Sequence, residues 1–230
     1  MKCKIGSIHH PKYNAKPRII EGYKVPANSI HHKLTVSVRM TVKGPNALNC
    51  GGTLISQNYV LTAAHCCKIN NTKLTTGHIV SMDPVNDKNE KMRKVSQVIV
   101  HPKYEMKKPF LNSGPMPLYD FAILKLAAPL QNLFACLPTN KIDQFAGSNG
   151  TVSGWGTFDE TGKGSPFLKA ASVTVISNNQ CLKSIREIYG MQLPSSGKGS
   201  STGLESFNFF LCADGQKSKS SACQGDSGGV

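Results

Sequence analysis

The sequence has no apolar run long enough to cross a bilayer. Its strongest apolar stretches, such as Phe121–Leu124, fall far short of the roughly 18 residues a spanning helix needs. It has little acid, 13 Asp and Glu against 27 Lys and Arg, for a formal net charge of +14. That imbalance raises nucleic acid and acidic glycans as partners. No nucleic-acid motif accompanies the charge, and a single aromatic, Tyr104, falls among the lysines of 88–94 and 103–108, too little for the interleaving of a nucleic-acid surface. The reading adopted is a solvated basic surface, with no nucleic-acid partner and no membrane span. The sequence also lacks a C-x2-C knuckle: neither Cys66-Cys67 nor Cys212 with Cys223 has zinc-ligand spacing. Its opening, Met1-Lys2-Cys3-Lys4, has no apolar core of the kind a signal peptide needs.

What is present points to an oxidising compartment. Eight cysteines at irregular positions serve as staples only where thiols are oxidised. The sequons Asn70-Asn71-Thr72 and Asn149-Gly150-Thr151 are compatible with that setting. A length of 230 residues allows one large domain or two small ones sharing an interface. Residues 1–18 are polar, basic and without period, and read as an extended lead segment. Beyond them Leu34, Val36, Val38 and Met40 alternate with polar residues, the period-2 pattern of a half-buried strand. Short strand-like runs recur at 52–55, 59–61, 95–100, 121–126, 151–155, 173–176 and 207–211, separated by turn-rich stretches, and the fold class they define is all-β. One helix is expected, capped by Ser177, with Cys181, Ile185 and Ile188 on its apolar face, followed by a Gly/Ser-rich insertion at 194–203.

Chemistry concentrates near the end. In Gly225-Asp226-Ser227-Gly228-Gly229 the glycines let the backbone turn sharply, so that the amides of Gly225 and Ser227 could form an oxyanion hole. A serine hydroxyl is a poor nucleophile unless a histidine takes its proton and a carboxylate orients that histidine. The run also fits the G-x-S-x-G elbow of α/β-hydrolases, where acid and histidine follow the serine; only three residues follow Ser227, so that reading fails on order. The partners therefore lie upstream. His65 stands at the exit of the apolar strand 59–61, and Asp120 at the entrance of the apolar strand beginning at Phe121.

Six blocks in this order resemble the chymotrypsin/trypsin family of serine peptidases, from Arg18 to the end. They are Arg18-Ile19-Ile20-Glu21-Gly22, Cys50-Gly51-Gly52-Thr53-Leu54-Ile55-Ser56, Leu61-Thr62-Ala63-Ala64-His65-Cys66, Asp120-Phe121-Ala122-Ile123-Leu124, Ser153-Gly154-Trp155-Gly156 and Cys223-Gln224-Gly225-Asp226-Ser227-Gly228-Gly229. The resemblance implies two antiparallel six-stranded β-barrels with a catalytic cleft between them. The first would span about 19–132 and the second about 133–230, with residues 1–18 as an activation peptide. His65 would be the general base, Asp120 its orienting acid and Ser227 the nucleophile. Cleavage after Arg18 would free the Ile19 ammonium to pair with Asp226. Disulfides Cys50–Cys66, Cys181–Cys212 and Cys3–Cys136 are implied, while Cys67 and Cys223 have no assigned partner.

Ser221, six residues before the nucleophile, would floor the specificity pocket and favour large apolar side chains, so that a different, trypsin-like protease would cut after Arg18. Protein or peptide substrates, protein protease inhibitors and a secreted location follow from the same resemblance. No cofactor or metal is expected, since the calcium loop of some members, here starting near His78, has its acids displaced to Asp83, Asp87 and Glu90. Family members continue well past the nucleophile, so the second barrel is expected to be incomplete in this chain. The alternatives to a serine endopeptidase zymogen are a non-catalytic protease-like binding protein, an inactive truncated product and a basic glycan-binding module.

Overall fold

The structure is a computed structural model that describes residues 22–26, 29–41, 47–69, 72–81, 91–107, 116–138, 145–157, 164–189, 211–215 and 226–229. The elements run β1 (Tyr23–Lys24), α1 (Ile30–Leu34), β2 (Thr35–Thr41), β3 (Ala47–Ser56), β4 (Tyr59–Thr62), a 3-10 turn (Ala64–Cys67), β5 (Lys68–Ile69), β6 (Thr72–Lys73), β7 (Gly77–Ser81), β8 (Lys91–Val100), β9 (Glu105–Lys107), β10 (Met116–Leu118), β11 (Ala122–Leu126), β12 (Asn149–Gly154), β13 (Lys169–Ile176), α2 (Asn178–Tyr189) and β14 (Cys212–Asp214).

Six antiparallel strands close into a barrel in the order β11-β4-β3-β2-β7-β8, with β8 pairing back onto β11. The period-2 pattern of β2 accounts for its place there. Val36, Val38 and Met40 are fully buried inside the barrel, while Arg39 and Thr41 face water. Leu54, Val60, Ile79 and Leu124 fill the same interior from four other strands. A register shift opposite Lys125/Leu126 marks a bulge in β8, the kind of local bend a small closed barrel requires.

A second, four-stranded sheet has β13 at its centre, with β12 along one edge and β1 and β14 in tandem along the other. β1 lies within the range 19–132 expected for the first half, yet it pairs with the second half's sheet. Val25 donates to the Leu168 carbonyl at 2.9 Å and is buried with Leu168 and Ala170. The chain thus starts against the second unit and crosses to the first through α1, whose cap Ser29 accepts from the His32 amide. A buried hydroxyl pair, Thr35 Oγ1 and Ser153 Oγ at 3.2 Å, links the two units.

The helix expected after Ser177 is α2, held by a reciprocal box. The Gln180 amide donates to Ser177 Oγ, and the Ser177 amide to Gln180 Oε1. Of the run 207–211 only Leu211 is described; it lies just before β14, whose three residues face residues 174–176 of β13. Among the described residues no helix is long and apolar enough to cross a membrane.

Candidate active site

His65 is presented by local packing around it. The 3-10 turn that follows β4 buries Ala64, Cys66 and Cys67 and leaves His65 partly exposed. Cys66 is bridged to Cys50 of β3, with S–S 2.07 Å and a dihedral of −88°, so the turn is bolted to the barrel wall.

Asp120 arrives from 55 residues away because β11 pairs with β4 in the register Ala122↔Thr62, which sets the start of one strand beside the end of the other. The residue before it, Tyr119, has φ 51°, a left-handed conformation unusual for a bulky side chain. Its ring stacks on His101 at 5.1 Å, and its carbonyl accepts from the Phe121 amide at 2.8 Å. The sharp turn directs Asp120 inward. One carboxylate oxygen accepts from the His65 amide at 2.8 Å, and the other lies 2.7 Å from His65 Nδ1. An ionised Asp120 holds the proton on Nδ1 and leaves the Nε2 lone pair as the ring's acceptor. Its charge is felt nearby: burial, then Asp120, push the Cys67 thiol up to about 12 against an opposing effect of Lys73, and the same two causes push Tyr104 up to about 12.

Ser227 lies in a tight turn closed by Gly229 N–H to the Asp226 carbonyl at 2.9 Å. Gly228 has φ 77°, and a Cβ on it would fall 2.7 Å from the Gly51 carbonyl and 2.8 Å from the Ala63 amide nitrogen. The Ser227 carbonyl accepts from the Gly51 amide at 2.8 Å, and the Cys66 sulfur lies 3.8 Å from the same oxygen. The serine turn is therefore built onto β3 and the exit of β4, against the neighbours of His65 on both sides. The Asp226 carboxylate reaches toward the end of β12, where it accepts from the Gly156 amide at 2.7 Å. A Cβ on Gly156 would lie 2.5 Å from both carboxylate oxygens, and one on Gly154 would also collide with them. This glycine nest was not read as part of the site from the sequence; the signal was there in the two glycines flanking the single tryptophan.

Cys181 and Cys212 are bridged, tying the start of α2 to β14. Cys136 is exposed with a free thiol, on a segment without regular structure, and Cys3, the partner the resemblance implies for it, lies outside the described residues. Cys3, Arg18, Ile19, Ser221, Cys223 and Gly225 lie outside the described residues, as do Asp83, Asp87 and Glu90. Cys50, His65 and Cys66 bring ligand atoms within 4.8 Å of one another, but both sulfurs are spent in the disulfide and are not thiolate ligands.

A closed barrel, a second β-sheet and a half-buried carboxylate–histidine pair beside a glycine-framed serine define a trypsin-fold serine peptidase domain. The Trypsin family model matches residues 19–230, and the chain belongs to that family. It is 31% identical to the serine protease Hayan of Drosophila melanogaster over 220 residues, covering 92% of this chain and 31% of that protein. It is 34% identical to the serine proteinase stubble of the same species over 196 residues, covering 78% of this chain and 21% of the relative. Trypsin 5G1 of Aedes aegypti is 29% identical over 217 residues, covering 92% of this chain and 70% of that protein. The chain thus spans about a third or less of the length of Hayan and stubble.

Proposed function

We propose that this protein is a serine endopeptidase that cleaves peptide bonds through an acyl-enzyme. The observation that carries the reading is the grip of the Asp120 carboxylate on both the amide and Nδ1 of His65, beside a serine turn anchored to β3 and the exit of β4. Ser227 Oγ attacks the scissile carbonyl as His65 Nε2 takes its proton, and the imidazolium then returns that proton to the leaving amine. Water repeats the sequence to release the acid. Asp120 stabilises the imidazolium without itself taking the proton. The amides of Gly225 and Ser227 stabilise the oxyanion.

The reading extends to activation and setting. Cleavage after Arg18 frees the Ile19 ammonium to meet Asp226; the fit of that carboxylate against Gly154 and Gly156 supports a fixed anionic receptor. Ser221 floors an apolar specificity pocket, which makes an Arg-directed protease the activator. The two disulfides support secretion. The test is covalent labelling with a fluorophosphonate after proteolysis at Arg18. The processed protein should label, with the label mapping to Ser227, and Ser227→Ala should not. A processed, folded protein that stays unlabelled overturns the proposal.

A further inference from the structure

The surface beside the Asp120–His65 pair is cationic and aromatic. Lys68, three residues past His65, and Lys73 face each other across the β5–β6 ladder. Like charges in directly opposed positions repel, so this pairing disfavours itself unless an anion or another contact offsets it. Lys68 receives only part of such an offset, its ammonium lying 5.6 Å from the Tyr104 ring centroid. Lys73 is exposed, yet near enough for its charge to oppose that of Asp120 at Cys67. Along the same rim Lys103 is exposed, with its ammonium 5.7 Å from the ring of Tyr119, the residue next to Asp120. The described carboxylates on these elements are Asp120, committed to His65, and Glu105, which has its own partner.

We propose that Lys68 and Lys73 form an anion-recognising subsite that selects peptide substrates with an aspartate or glutamate close to the scissile bond. The inference rests on the proteolytic reading, because it is His65 that fixes where the reacting bond lies. An extended peptide advances about 3.3 Å per residue, so a side chain one or two positions from that bond reaches a hairpin that begins three residues past His65. Each lysine acts at partial exposure, and exposed ion pairs are individually weak and screened by salt. The selection is therefore a several-fold bias, lost at high ionic strength.

The experiment compares matched peptides differing only by Glu or Gln, placed one or two positions on either side of the cleaved bond. The activated parent should favour a Glu peptide by about three- to tenfold in kcat/KM at low salt, and this ratio should fall toward one in about 0.5 M NaCl. Lys68→Ser/Lys73→Ser should bring the ratio to about one at low salt, while Lys94→Ser, on the barrel wall, should leave it intact. A parent ratio of one at every position, or a ratio that survives the double substitution, overturns the subsite. Failure of the protease reading looks different: the Gln peptide is then uncut and fluorophosphonate does not label. In that case the Glu/Gln ratio is read as relative Kd by fluorescence anisotropy, where a Glu preference abolished by the double substitution supports the subsite and any other ratio overturns it.

Discussion

Two glycines with nearly the same backbone angle should respond very differently to one added methyl group. Gly147 has φ 83° with nothing within 4 Å of a built Cβ, whereas Gly228 has φ 77° with the Gly51 carbonyl at 2.7 Å and the Ala63 nitrogen at 2.8 Å. At Gly147 alanine meets only the left-handed penalty of about 1–2 kcal/mol, offset by about 0.4–1 kcal/mol because the unfolded chain loses freedom, leaving a net cost of about 1 kcal/mol. At Gly228 the same penalty applies, and in addition rigid backbone must move by several tenths of an ångström. The hydrogen bonds Gly51 N–H to Ser227 O (2.8 Å) and Gly229 N–H to Asp226 O (2.9 Å) hold the turn in place and would be stretched. At about 1 kcal/mol for each weakened bond, the total for Gly228→Ala reaches about 3 kcal/mol. Urea unfolding of both variants measures the difference, and fluorophosphonate labelling measures its effect on Ser227. Labelling should slow in Gly228→Ala, by up to about the 100-fold that displacing a reacting group by a full ångström costs, and be unaffected in Gly147→Ala. Equal destabilisation by the two substitutions would refute the argument, because it would mean that φ alone, and not the docking of the serine turn on β3 and β4, sets the cost.

Asp120→Asn should fold, since an amide oxygen can still accept from the His65 backbone N–H, yet kcat should fall about 10⁴-fold because the Asn amide favours the wrong imidazole tautomer. Steady-state kinetics beside a thermal melt tests this, and an activity loss matched by unfolding would count against it. Cys136 should react with a thiol reagent in the native protein, while Cys67 stays unmodified until denaturant is added, as read by peptide mass mapping. Because folding raises the Cys67 pKa from 9.0 to about 12, the folded state holds the proton more tightly. Its stabilising contribution, up to about 4 kcal/mol, is complete below pH 9 and is lost as pH rises toward 12. Cys67→Ala should therefore lose less stability over that range than the parent; identical pH profiles would refute the assignment.

Much of this molecule was legible in the sequence because the physics involved is local. The alternation of Val36, Val38 and Met40 requires a strand with one buried face, and that strand is β2. Ser177 and Gln180, one helical turn apart, define a helix start. The shortest elements escaped the same reasoning: β1, β5 and β6 have two residues each, too few to show any period. The tertiary structure decided what depends on residues far apart in sequence. Pairing of β11 with β4 sets Asp120 on His65, and the left-handed Tyr119 aims it there, a strain that no propensity would suggest. Closure of the barrel puts Gly51 under the Ser227 carbonyl, and the end of β12 supplies the Gly156 amide to Asp226. Sequence determines which groups are available and how each segment twists; only the ladder registers bring those groups within hydrogen-bonding distance, because a register is set by packing across the whole sheet rather than by any one strand.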